Sequence, residues 1–170
     1  IAMTVNNLAW LRLLRDGPTP RVIELCHKAI ELDPDASYIQ DTVGWMYVLK
    51  GEPEEGVPLL LKSLQNSRQP SPETYDHLGD AYWLLGEKNK AIRAWQTAAA
   101  ILHAPETLQY ALEGYASMAH SVWGISVATP EALYDLELGE VARRIKKKLV
   151  AVQEGTEPPL DHAALNNGAD

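Results

Sequence analysis

Residues 75–82 read Tyr75-Asp76-His77-Leu78-Gly79-Asp80-Ala81-Tyr82, and 35 positions earlier residues 40–47 read Gln40-Asp41-Thr42-Val43-Gly44-Trp45-Met46-Tyr47. Asp, Gly and Tyr recur at the same offsets, with Val in the place of Leu. A further shift of 35 brings Asn6 onto Asp41 and Asp76, Leu8 onto Val43 and Leu78, and Ala9 onto Gly44 and Gly79. Trp10 meets Trp45, Leu14 meets Leu49 and Leu84, and Gly51 meets Gly86. Matches this dense in one register mark an internal repeat, one supersecondary unit used several times.

Each unit reads as a helical hairpin. Apolar residues recur at spacings of three and four, and no stretch alternates as a strand would. Gly51 and Gly86 are placed to end first helices as left-handed caps. The pairs Pro53-Glu54, Pro72-Glu73, Pro105-Glu106 and Pro130-Glu131 mark helix starts. Proline suits the first turn because the N–H it lacks would be unbonded there, and glutamate complements the positive helix end. Ser71 and Thr129 precede two of these prolines as N-caps. The spacing predicts helices near 2–15, 20–32, 37–50, 53–67, 72–85 and 87–102, with Pro58 kinking the fourth. Small residues at Ala9, Gly44, Gly79 and Ala98 allow close helix approach, and large Tyr82 and Trp95 fill the space beside them.

Past residue 104 the pattern loosens. Leu108, Leu112, Tyr115, Ala119 and Val122 share one helical face, and Gly124 follows as a stop. Tyr110 and Gly114 stand 35 after Tyr75 and Gly79, which hints at a fourth hairpin. A long helix is expected from Pro130 to about Glu154, with Leu138, Val141, Ile145, Leu149 and Val152 on its stripe and Gly155 at its end. The tail from Glu157, with Pro158-Pro159, is expected to be extended or flexible.

The repeat resembles the tetratricopeptide repeat, whose period is near 34 and whose pattern is W-x2-L-G-x2-Y…A-x3-F…A. Tyr75, Leu78, Gly79, Tyr82, Ala91, Trp95 and Ala98 follow that pattern, with one aromatic exchanged for another at Tyr75 and Trp95. The second unit keeps Val43, Gly44 and Tyr47 but has Gly56 and Leu60 in its second helix. The first keeps Leu8 and Ala29, is closed by Pro34, and has Ala9 for the glycine and Arg12 for the tyrosine. The resemblance covers roughly residues 2–102. It implies an all-α fold, a tetratricopeptide-type right-handed α-solenoid of helical hairpins with a C-terminal helical cap. The repeats would span about 2–35, 36–70 and 71–104, followed by a degenerate fourth hairpin or capping helices over 105–155 and a tail over 156–170. The wording "NNLAW", "DTVGWMY" and "DHLGDAYW" resembles the last repeats of bacterial tetratricopeptide proteins, many of them envelope-associated. A bacterial cytoplasmic or envelope-associated location is therefore expected.

The 170 residues carry a formal charge of −8, which argues against nucleic acid as the main partner. Residues 31–87 hold eleven acids and three bases, whereas Arg143-Arg144-Ile145-Lys146-Lys147-Lys148 forms a basic run late in the chain. No apolar run reaches the length of a membrane span, so direct membrane insertion is not expected. No secretory leader opens the sequence, and Ile1 already lies in a periodic segment, so residues upstream of it are expected. The single cysteine, Cys26, reads as a small buried hydrophobe.

Asp76 and Asp80 lie one helical turn apart, while His77 is rotated by about 100° from Asp76. The trio therefore reads as structure or groove surface rather than a preformed catalytic or metal cluster. His27, His103, His120 and His162 have no ligand-like spacing. Phosphate loops, nucleophile elbows and paired metal histidines do not occur, so no catalytic residue, cofactor or metal is assigned and an enzyme is not expected.

The resemblance implies that a concave groove is lined by Asn6, Trp10 and Leu13 from the first unit. Tyr38, Asp41, Trp45 and Val48 would come from the second, and Glu73, Asp76, Asp80 and Trp83 from the third. Relatives that clamp a C-terminal carboxylate present Lys, Arg and Asn in this groove, and the aspartates here argue against that ligand. Acids beside aromatics suit a protein or peptide partner with basic and apolar residues. The tryptophans packing between helices, and a groove filled by a neighbouring domain, remain alternatives. So does a self-assembling module forming homo-oligomers through the groove or the C-terminal helix, or a regulatory segment of a larger enzyme. The basic run, placed on the helix face away from Leu138, Val141 and Ile145, is either a solvated face or a guest for the groove of another copy.

Overall fold

A computed structural model describes residues 1–69, 71–104 and 139–160, and every regular element among them is an α-helix. Seven helices follow: α1 Ala2–Asp16, α2 Pro20–Leu32, α3 Ser37–Lys50, α4 Pro53–Asn66, α5 Pro72–Leu84, α6 Lys88–Leu102 and α7 Gly139–Gln153. The readings at 105–138, including Pro105, Thr129 and the Leu108–Val122 stripe, lie outside the described residues, as does the tail from 161.

Helix limits follow local chemistry. Thr19 and Ser71 accept hydrogen bonds from the backbone N–H of Val22 and Thr74, and proline stands in the first turn directly after each. Gly51, Gly86 and Gly155 all have positive φ, at 86°, 76° and 75°. Each closes its helix with the same pair of bonds. Glu52, Glu87 and Thr156 donate to the carbonyls of Tyr47, Tyr82 and Ala151, while the three glycines donate to Val48, Trp83 and Val152. That doubly bonded ending satisfies carbonyls a helix would otherwise leave open. Pro58 does not end α4, which runs on to Asn66. The proline is on the exposed side, where water can solvate the carbonyl its missing N–H leaves unbonded.

Consecutive helices pack in pairs, α1 on α2, α3 on α4 and α5 on α6. Pairs meet through α2 on α3 and α4 on α5, and the first helices touch in order, α1 on α3, α3 on α5, α5 on α7. Glycine makes the closest approaches possible. A Cβ at Gly44 would stand 2.9 Å from Leu60 Cγ, and one at Gly56 would stand 2.7 Å from the Gly44 carbonyl. At Gly79 a Cβ would fall within the Trp95 indole, 2.8 Å from Cε2 with Nε1 and Cδ1 nearer still.

Two apolar clusters result. The larger joins Ala9, Leu13, Val22, Cys26, Ile39, Val43, Met46, Val48 and Leu60 across α1–α4 and reaches Leu78 on α5. The smaller gathers Ala91, Trp95, Ala98 and Leu102 of α6 with Val141 and Ile145 of α7. Leu160 belongs to it as well. The first residues of the tail carry no regular element but are docked: Pro158 and Leu160 are buried, and Glu157 accepts a 3.0 Å bond from the Trp83 indole. Among the described residues, no helix is long and apolar enough to cross a membrane.

Candidate functional site

The face built from α1, α3 and α5 carries the residues of interest, and one helix spacing organises its far end. Asp76 and Asp80 are adjacent turns of α5 and point the same way. Both are buried, at 0% and 1% exposure. Two carboxylates this close cannot stay ionised out of water without compensation. Lys148 of α7 supplies it: its ammonium lies 2.7 Å from Asp76 Oδ1 and 2.7 Å from Asp80 Oδ1. Trp95 Nε1 donates to Asp80 at 3.1 Å. Arg144, one turn before Lys148, donates to Asp76 Oδ2 at 3.3 Å and reaches Glu73 at 3.8 Å.

This corrects the expected placement of the basic run. Lys148 is not on the solvated face but on the buried stripe with Val141 and Ile145, at the spacings i, i+4 and i+7. Its aliphatic stem packs as part of that stripe, and its charge meets the aspartates within the same chain. The run is split. Arg143, Lys146 and Lys147 are exposed, Arg143 pairing with Glu140 at 2.9 Å.

A second group lies between α3 and α5. His77 is 1% exposed, its Nδ1 lies 3.1 Å from Asp41 Oδ1, and its ring stacks on Trp45 with centroids 4.2 Å apart and planes 11° from parallel. Trp10 approaches the same ring at 5.9 Å, tilted by 54°. Burial alone would press the imidazole towards neutrality. The charge and hydrogen bond of Asp41, aided by Glu73 and Asp76, outweigh burial and hold its pKa above the ordinary value.

The eleven expected groove residues therefore divide. Leu13 and Val48 are fully buried members of the core and line no surface, because their helical positions face the partner helix of the pair. Trp45 is 3% exposed and is spent on His77. Asp76 and Asp80 are sealed beneath α7. Trp83 is half-buried, with Lys88 Nζ 4.7 Å above its ring. The remaining five, Asn6, Trp10, Tyr38, Asp41 and Glu73, line one hollow of about 320 Å³ together with hydroxyls of α3, the α4 end and the α5 start. Within it Asn6 is 4% exposed and its Oδ1 has no hydrogen-bond partner.

His77, Arg144 and Lys148 are brought to this face by the fold although the sequence reading did not place them among its lining residues. His77 had a signal: it aligns with Thr42 and Asn7, so the repeat by itself calls for a small polar residue there. Cys26 is buried on α2, and burial pushes its thiol up to about 12, far from reactive. Among the described residues, no group of three His, Cys, Asp or Glu side chains is arranged to hold a metal ion. In comparisons with protein-family models and with curated proteins, nothing matches the chain.

Proposed function

We propose that the chain is a tetratricopeptide-type α-solenoid serving as a non-catalytic interaction scaffold of bacterial origin. It binds a protein or peptide segment with basic and apolar residues on the face formed by α1, α3 and α5. The observation that carries this reading is the guest already present on that face. A basic amphipathic helix, α7, lies against α5 with Lys148 between Asp76 and Asp80. A surface that takes one such helix in cis has the charge and the relief to take another segment beside it. The 35-residue register and the pairing of helices support the repeat assignment. The test is a peptide array probed with the purified chain. Basic–apolar peptides retained by the wild type and lost by Asp41→Asn plus Glu73→Gln support the reading. Retention of acidic peptides, or of none, opposes it.

A second reading, self-assembly, is favoured by the outer face of α1. Leu8, Leu11 and Leu14 are 44%, 65% and 54% exposed, whereas Val43 and Leu49, the repeat equivalents of Leu8 and Leu14, are 2% and 9% exposed. In the second unit those positions are packed into the apolar core of α1–α4. In the first they are open, and a second copy would cover them. Sedimentation velocity over a concentration series tests this, a single monomeric boundary throughout opposing it.

A further inference from the structure

The hollow lined by Asn6, Trp10, Tyr38, Asp41 and Glu73 is short of one hydrogen-bond donor. Asn6 Oδ1 is buried without a partner, an arrangement that costs free energy and is rare in folded chains. Its surroundings say which donor would fit. Asp41 and Glu73 are carboxylates on two different helices, so an anion entering here would meet like charge. The first turns of α3 and α5 also border the hollow; the partial positive end of α5 is already met by Glu73 and the Ser71 cap, whereas α3 starts after Ala36 with neither a side-chain cap nor an acid in its first turn. Arg144 reaches Glu73 only at 3.8 Å and is held more closely by Asp76. Trp10 contributes an indole, half-buried, and Tyr38 an exposed ring at the rim.

We propose that this hollow receives the guanidinium of an arginine side chain from a partner peptide. The proposal rests on the scaffold reading and names the chemistry of its main contact. An ammonium is a point charge with three donors. A guanidinium spreads five donors over a plane, which lets it bridge acceptors on separate helices while stacking on an indole. Asn6 Oδ1, Asp41 and Glu73 are such acceptors, and Trp10 is such an indole. A volume of about 320 Å³ is near the lower limit of ligand pockets, suited to one side chain rather than a larger molecule. The Asp76–Asp80 pair is excluded as the site because Lys148 occupies it.

The test uses the whole chain and four capped tripeptides, Gly-X-Gly with X as arginine, lysine, citrulline or glutamate, titrated by NMR. The arginine peptide is expected to bind about tenfold or more tighter than the citrulline peptide, in keeping with a charge-assisted hydrogen bond. It should move the Asn6 amide and Trp10 indole resonances. Asn6→Leu should abolish that binding while raising the melting temperature of the free protein, since it removes the unpartnered oxygen. Glu73 is partly exposed, so Glu73→Gln keeps the fold and should weaken arginine binding severalfold. Equal affinity for citrulline overturns the proposal in favour of simple amide recognition. Binding that leaves Asn6 and Trp10 unmoved, or that survives both substitutions, overturns it too, as does no binding of the arginine peptide. The scaffold reading fails separately, if the array retains acidic peptides or none.

Discussion

The ammonium of Lys148 stands 2.7 Å from Asp76 Oδ1, and neither side chain has any exposure. The two residues are 72 positions apart and belong to the last described helix and the third repeat. A pair so buried is screened little by salt, and its strength depends on every partner being present. Lys148→Met should cost about 3–5 kcal/mol, because it leaves Asp76 and Asp80 facing each other without their shared cation. Neutralising the aspartates in the same protein, with Asp76→Asn and Asp80→Asn, should restore most of that loss. Urea denaturation of the single and triple variants checks this. A single variant as stable as the wild type would mean that α7 does not seal the aspartates.

Gly79 and Trp95 give a test of the helix pairing itself. A Cβ at Gly79 falls within an indole that is fully buried and pinned by its bond to Asp80. The ring cannot step aside without breaking that bond. Gly79→Ala should therefore destabilise by about 1–3 kcal/mol despite alanine's better helix propensity. The melting temperature is the measurement, and no change would mean α5 and α6 are not in this register.

The repeat made the hairpins legible because each helix obeys local rules: a proline or cap to start it, Gly51 or Gly86 to stop it, and a period that places Val43 and Leu78 inside. The site was legible only in part. Asp76 and Asp80 are visibly one turn apart, yet their partner lies outside the repeat, where no period predicts a contact. Lys148 does share the spacing of Val141 and Ile145, but a lysine there reads as polar, and only the buried aspartates turn it into a core residue. Leu13 and Val48 were misplaced for a different reason. The repeat tells which helix of each pair shares a face with its equivalents but not, without packing, how far around that helix the face extends.

His77 makes stability depend on pH in a definite direction. Its folded pKa lies above the ordinary 6.5, so folding is favoured by the bound proton. That contribution is complete below about pH 6.5 and is lost as pH rises through the higher folded value. Asp41 faces the ring from α3, and Glu73 and Asp76 act from α5, while Arg144 and Lys148 temper Asp76 from α7. Asp41→Asn removes the largest upward influence. The His77 resonance should then titrate at lower pH, and the fall in urea midpoint as pH rises above the ordinary 6.5 should shrink. A wild-type His77 titrating below the ordinary value would contradict the Asp41 contact.

The outer face of α1 sets the last prediction. Leu8 and Val43 occupy the same repeat position, yet they differ from 44% to 2% exposure, because Val43 is packed into the apolar core of α1–α4 and Leu8 is not. One substitution therefore has opposite meanings at the two places. Val43→Glu buries a carboxylate among Leu13, Ile39 and Leu60 and should cost more than about 3 kcal/mol. Leu8→Glu combined with Leu11→Glu stays within reach of water and should change the melting temperature of the monomer little, by about 0.5 kcal/mol per site. If copies of the chain cover this apolar face for one another, the leucine variant loses its larger species in sedimentation velocity while circular dichroism stays helical. If the wild type shows one monomeric boundary at all concentrations, the face is not a self-assembly surface. The same glutamates should leave binding of the arginine peptide unaltered, because Leu8 and Leu11 do not line the hollow that Asn6 and Trp10 share.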